Sequence, residues 1–247
     1  HTLNRLGIED GAVTLTTMPL FHTGGCVLCV LGSVSKRATQ VLVEAFDPGL
    51  VLELFQTYRI NAMLGVPTML IAMTEHPNYA STDLSSTRAI CSGGSTVPAA
   101  LVRKLEDKLG APFTIVFGQT ECSPVASMTR PVDTIEDKAD TIGPPMPHVE
   151  VKIVDPATGE TLPAGQIGEY CTRGYHVMLG YFENPGATAE AIDADGWLHT
   201  GDLCSMDERG YCKVEGRLKD MIIRGGENIY PREIEELLFK HPSIGEA

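Results

Sequence analysis

In the segment Phe117-Gly118-Gln119-Thr120-Glu121 a hydroxyl and a carboxylate stand side by side behind a glycine, at the end of the apolar run FTIV. Thr120 can donate its hydroxyl to a phosphate oxygen, and Glu121 offers the hard oxygen donor that Mg2+ prefers when it also binds phosphates. Gly93-Gly94-Ser95 closes an earlier apolar run. Paired glycines let the backbone approach a flat ligand, Ser95 leaves room over it, and Phe117 could cover the other face. Asp202, in GWLHTGDL, lies on a turn where a carboxylate can accept from two vicinal hydroxyls, the pattern a ribose presents. Arg217, in GRLKD, could reach the same sugar or an adjacent phosphate with its planar fork. Each feature alone has a plainer reading, Gly93-Gly94 as a tight turn and Glu121 as a solvated or helix-capping side chain. Together a base slot, a ribose carboxylate, a phosphate hydroxyl and a metal carboxylate describe a nucleotide site.

The elements that must position these groups follow from the pattern of apolar residues. AVTLTTMP, NAMLGVP, TRAICSGG and PFTIVFG read as strands. DPGLVLELFQTYRI reads as a helix that starts at Asp47 and Pro48, TMLIAMTEHP as a second, and VPAALVRKLEDKLG as a third, with Pro98 in its first turn and Gly110 at its end. Strands alternating with helices imply an α/β fold, a parallel sheet with helices on both faces, in which ligands bind beyond the carboxyl ends of strands. SGGST and FGQTE both fall there. We therefore expect an α/β part over 1–142. After GPPMP the texture turns to short strands and glycine turns, which predicts a small β-barrel-like unit over 143–216. From 217 a short strand and PREIEELLFKHP, with Ile234, Leu237 and Leu238 on one helical stripe, read as the start of a C-terminal α+β domain over 217–247. His1 in place of Met, and a chain that stops just after a helix-like segment, suggest a piece of something longer.

Composition narrows the classes. The net charge is −13, from 19 basic and 32 acidic side chains, so no broad basic surface is available to nucleic acid or anionic lipid. The apolar stretch CVLCVLGSV is far short of the roughly 20 residues that cross a bilayer, so no transmembrane segment is expected. The 7 cysteines follow no framework spacing, which points to reduced thiols and a cytoplasmic protein. Cys26 and Cys29 form a C-x-x-C without further ligands to complete a metal set, so we read them as packed core thiols.

Six motifs, PLFHTGG, SGGST, FGQTE, GYHVMLGYFENP, GWLHTGDL and GRLKDMIIRGGENIYPREIE, stand in the order and approximate spacing of one family. The chain resembles the adenylate-forming acyl-CoA synthetases, a family that includes luciferases and the adenylation domains of peptide synthetases. PLFHTGG with GGENIYPREIEE is most similar to fatty or medium-chain acyl-CoA ligases. The resemblance implies two steps: a carboxylic acid, ATP and Mg2+ give acyl-AMP and pyrophosphate, and coenzyme A then displaces AMP to form acyl-CoA. It implies that Gly93, Gly94, Ser95 and Phe117 bound the adenine, with Gly118 and Gln119 alongside. Thr120 would meet the α-phosphate, Glu121 the Mg2+, and Asp202 and Arg217 the ribose.

By the same likeness His22 lies beside the acyl carboxylate, although outside the motif it reads as an ordinary strand-end histidine. Gly24, Val66, Gly93 and Gly118 would wall an acyl tunnel. Their small size, and the lack of an acidic partner for an α-amino group, favour a fatty acid over an amino acid. Lys219 falls at the family's hinge, or else is a solvated turn lysine, and Gly225 and Gly226 match the loop lining the pantetheine tunnel. The family's phosphate loop, normally upstream of PLFHTGG, and its catalytic lysine, normally beyond residue 247, have no counterpart in this sequence. Two other readings stand beside the ligase: an enzyme that loads a carrier-protein thiol, and a non-catalytic adenylate-binding protein. Neither chain length of the acid nor oligomeric state is legible.

Overall fold

The computed structural model describes residues 1–93, 97, 99–224, 227–229, 231, 234 and 238. The chain divides into two compact units, His1–His148 and Val149–Ala247.

The first unit is built on strands β1 (Val13–Thr16), β2 (Thr39–Leu42), β3 (Ala62–Leu64), β4 (Ala89–Gly93), β5 (Phe113–Phe117) and β6 (Ser127–Met128). They form a 6-stranded sheet in the order β2-β1-β3-β4-β5-β6. Pairing is parallel from β2 through β5, and β6 lies antiparallel to β5, with Val116 opposite Met128. The expected parallel sheet thus carries one short antiparallel edge strand, because the chain turns back on itself after β5.

Helices cover both faces. On one, α-helices at Pro48–Tyr58, Pro67–Glu75 and Ala99–Leu109 bring Phe55, Leu70, Met73 and Leu105 against Leu15, Ile90, Phe113 and Ile115, all buried. Full burial of such a side chain stabilises by roughly 1.5–3 kcal/mol. On the other face a π-helix at Gly24–Leu31 runs into an α-helix at Gly32–Ser35, and Thr14 and Ser33 share a hydrogen bond of 2.8 Å between their hydroxyls. The apolar CVLCVL segment is therefore a sheet-covering helix, with Cys29 buried and Cys26 half-buried. The expected helix start at Asp47 and Pro48 is present, the Asp47 carboxylate accepting from Leu50 N at 2.7 Å. Gly110, at φ +58°, ends the Ala99–Leu109 helix, whereas Pro98 lies outside the described residues. Lys138, 3% exposed, donates from Nζ to Glu106 Oε1 at 2.7 Å and to Pro131 O at 2.8 Å, tying the Ile135–Asp140 helix to the Ala99–Leu109 helix.

The second unit holds β7 (Val149–Val154), β8 (Gly168–Gly174), β9 (Leu198–Met206) and β10 (Cys212–Arg217). They form a 4-stranded antiparallel sheet, β10-β9-β8-β7, and this is the form the glycine-rich strand region takes. A short hairpin of β11 (Ile222–Arg224) and β12 (Glu227–Ile229) follows. The helix expected from residue 231 falls mostly outside the described residues.

Candidate active site

In the first unit, the residues that sequence reasoning singled out follow the carboxyl ends of neighbouring strands. His22 and Gly24 come after β1, Val66 after β3, Gly93 ends β4, and Phe117 to Glu121 close or follow β5. In the order 2-1-3-4-5 the chain's winding reverses between β1 and β3, which makes that crevice the natural ligand position of a doubly wound sheet. Gly94 and Ser95 lie outside the described residues.

The turn after β5 is a 3-10 helix at Thr120–Cys122 preceded by Gln119 in extended conformation. Cys122 N donates to Gln119 O at 2.8 Å and Ser123 N to Thr120 O at 3.1 Å, so the turn is closed by its own backbone. Thr120 is exposed and Glu121 half-buried. Gly118 has no room for a side chain, since a Cβ there would stand 2.1 Å from Pro124 O. A Cβ at Gly93 would stand 2.5 Å from Val116 O, so the contact that demands glycine at Gly93 is the neighbouring strand. Phe117 is half-buried at the end of β5 and receives a backbone hydrogen bond from Ala126 N at 2.9 Å.

His22 is exposed, and its Nδ1 accepts from Gly24 N at 3.0 Å. With Nδ1 an acceptor, a neutral imidazole carries its proton on Nε2 and presents it as a donor. Gly25, next in the chain, sits so near Pro19 that a Cβ would come 2.1 Å from Pro19 O, and this close approach starts the helix at Gly24. Val66 is the extended residue before Pro67, the first residue of its helix.

In the second unit Asp202 on β9 is opposite Arg217 on β10. Arg217 Nε donates to Asp202 Oδ1 at 2.9 Å, the carboxylate 8% exposed and the guanidinium 53% exposed. Burial pushes the Asp202 carboxyl above the ordinary range, Arg217 pulls it back, and Glu169 adds to the rise. The result is a carboxylate held out of water with one oxygen committed to Arg217. Lys219 is exposed in a 3-10 turn at Leu218–Asp220, and Gly225 and Gly226 lie outside the described residues.

Sequence reasoning missed Glu169. It is buried on β8, its Oε1 accepts from Gly201 N at 3.0 Å, and its Oε2 accepts from His199 Nδ1 at 2.8 Å. Cys171 Sγ lies 3.4 Å from the same Nδ1, and Glu169, Cys171 and His199 bring ligand-type atoms within 4.8 Å of one another. No sequence signal links residues 30 positions apart on two strands; only the β8–β9 register does.

Over residues 2–182 the chain matches the family described as AMP-binding enzyme. YngI of Bacillus subtilis is 49% identical over 228 residues, which cover 92% of this chain and 42% of that protein. The mitochondrial medium-chain acyl-CoA ligase ACSF2 of Rattus norvegicus is 42% identical over 231 residues, 93% of this chain and 38% of the relative. The structure of O-succinylbenzoate coenzyme A synthetase (MenE) from Bacillus subtilis, in complex with ATP and magnesium ion, aligns with a TM-score of 0.89 at 33% identity, over 99% of this chain and 50% of MenE. The chain thus spans about two fifths of the length of these curated relatives.

Proposed function

We propose, from the premise that this chain belongs to the AMP-binding enzyme family, that the protein activates a carboxylic acid with ATP and passes the acyl group to coenzyme A. The observation that carries the proposal is the position of the His22, Val66, Gly93 and Thr120 segments at or beyond the carboxyl ends of the adjacent strands β1, β3, β4 and β5. In such a sheet that is where a small-molecule ligand is met by several loops at once. Kinship with the medium-chain ligase ACSF2 supports a fatty acid of medium length as substrate. Gly24 and Val66 offer no charge to an amino group, which suits an aliphatic acid better than an amino acid.

In the first step an oxygen of the acid attacks the α-phosphorus of ATP, the bond to the bridging oxygen breaks, and pyrophosphate departs with that electron pair. Thr120, exposed on its closed turn, donates its hydroxyl to the α-phosphate, and His22 donates from Nε2 to the acid or to the acyl-phosphate oxygen. Asp202 and Arg217 hold the ribose, and Gly93, Gly94, Ser95, Phe117, Gly118 and Gln119 bound the base. Glu121 fits a Mg2+ ion as a half-buried carboxylate beside Thr120, since this metal takes one or two protein carboxylates together with phosphates. When bound, the ion neutralises charge on the departing pyrophosphate. In the second step the sulfur of coenzyme A attacks the acyl carbonyl carbon and the C–O bond to AMP breaks. Lys219 serves as the hinge between the steps, with 217–247 starting the moving domain, and Gly225 and Gly226 line the thiol's path. We place the protein in a reducing compartment, the cytoplasm, a reading supported by 7 free cysteines.

Mass-spectrometric product analysis of the full-length protein tests this, with ATP, Mg2+ and acids of graded length, with and without coenzyme A. Acyl-CoA formed only with coenzyme A is the expected result. Acyl-adenylate that ignores coenzyme A would instead indicate a carrier thiol, and neither product with any acid would indicate an adenylate-binding protein.

A further inference from the structure

The β8–β9 ladder is irregular where it carries Asp202. Cys171 pairs with His199 and Glu169 with Leu203, so Thr200, Gly201 and Asp202 face Tyr170 alone. The extra residues form a bulge, a device that re-aims side chains at the cost of ladder hydrogen bonds. Gly201 adopts φ +70°, the left-handed conformation in which glycine is at ease, and a Cβ there would meet nothing within 4 Å among the described residues. The backbone angle, not crowding, requires glycine.

The bulge's polar groups are then answered one by one. Thr200 Oγ1 donates to Tyr170 O at 2.7 Å, and Asp202 N donates back to Thr200 Oγ1 at 3.2 Å. Glu169 spans both sides of Thr200: one carboxylate oxygen takes the Gly201 N–H, the other takes the His199 Nδ1–H. His199 is 30% exposed, and its Nε2 faces Asp193 Oδ2 at 3.7 Å. Both oxygens of Glu169 are thus engaged by the segment that leads into Asp202. A buried carboxylate used only for stability would be an expensive choice, since an apolar side chain of similar volume would do as well.

We infer that Glu169 and His199 are positioning residues that clamp the 199–202 bulge and thereby aim the Asp202 carboxylate at the nucleotide's ribose hydroxyls. This inference rests on the reading of Asp202 as the ribose ligand. Glu169 itself touches no substrate; it acts by fixing the backbone from which Asp202 projects.

The test compares the Kd of ATP with that of 2′,3′-dideoxy-ATP in the full-length protein, for wild type and for Glu169→Ala, Glu169→Gln and His199→Ala. Wild type should prefer ATP by ~10-fold or more, the value of hydroxyls bonded to a charged acceptor. Glu169→Ala should cut that preference at least about threefold, while Glu169→Gln, which keeps an acceptor for Gly201 N, retains most of it. If Glu169→Ala does not fold, His199→Ala reads the same clamp from its more exposed end and should lower the preference likewise. Equal weakening of both nucleotides would mean a purely structural role and would overturn the inference, as would an unchanged preference in Glu169→Ala or His199→Ala. Asp202→Asn separates the two levels. If it leaves the preference intact, the ribose reading itself fails; if it removes the preference while the clamp variants do not, only the positioning role fails.

Discussion

Replacing Asp202 by Asn should weaken nucleotide binding without weakening the fold, and the structure says why the two effects part. The carboxylate is 8% exposed, and burial outweighs Arg217 in setting its protonation, so the folded-state pKa lies above the ordinary aspartate value. A raised carboxyl favours folding most below its unfolded pKa of about 3.9, and the advantage is lost as pH rises through the folded value. At about pH 7.5 the charged Asp202 is therefore a burden on stability, one the isosteric amide removes. The amide oxygen of the variant can still accept from Arg217 Nε, and the guanidinium, 53% exposed, stays solvated, so little is lost there. Urea midpoints should be equal for the two proteins or favour the variant at about pH 7.5, and the difference should shrink as the pH is lowered toward the unfolded aspartate value of about 3.9, because the raised folded-state carboxyl takes up its proton first. For binding, the charge and one acceptor vanish, which costs about 2 kcal/mol and raises the AMP Kd ~30-fold by calorimetry. A variant that loses more than about 1 kcal/mol of stability at neutral pH would make Asp202 a structural anchor and refute the reasoning. So would an AMP Kd within about threefold of wild type.

Other expectations follow from single contacts. Gly25→Ala places a Cβ where Pro19 O stands 2.1 Å away, so it should cost ~2–3 kcal/mol in urea unfolding and displace His22, lowering kcat for acid activation. Glu121→Gln keeps the size of the side chain and removes the carboxylate proposed for the metal, so the Mg2+ concentration for half-maximal pyrophosphate release should rise ~10-fold or more while far-UV circular dichroism is unchanged. Desolvation pushes the thiols of Cys29 to about 11 and of Cys91, Cys171 and Cys212 to about 12. Iodoacetamide at about pH 8 should therefore label half-buried Cys26 before these four, as read by peptide mass spectrometry; early labelling of Cys91 would contradict its burial, 3% exposed, within β4.

What could be read in the sequence was what local chemistry encodes. Asp47-Pro48 announces a helix start because one side chain caps and the other is preset for helical φ. The apolar strands ending in Gly93 and Phe117 are long enough to show their pattern. The strand Thr39–Leu42 was not legible: it is an edge strand whose residues are exposed or half-buried, so it carries no clear alternation of burial. The two-residue β6 exists only because Ser127 and Met128 are returned alongside β5 by the turn after it, a tertiary cause. Gly93 was read as room for a ligand, whereas its tightest neighbour is Val116, and no sequence distinguishes the two uses of a missing side chain. Glu169 stayed hidden for the same reason as the bulge it holds: its partners, His199 and Gly201, become neighbours only once β8 and β9 are in register.

The most direct test of acid activation is ATP–pyrophosphate exchange catalysed by the full-length protein without coenzyme A. If the protein forms an acyl-adenylate, labelled pyrophosphate will enter ATP when a medium-chain fatty acid and Mg2+ are present, and will not when the acid is withheld. Exchange that proceeds without acid, or none with any acid tried while AMP still binds, would contradict adenylation as the function.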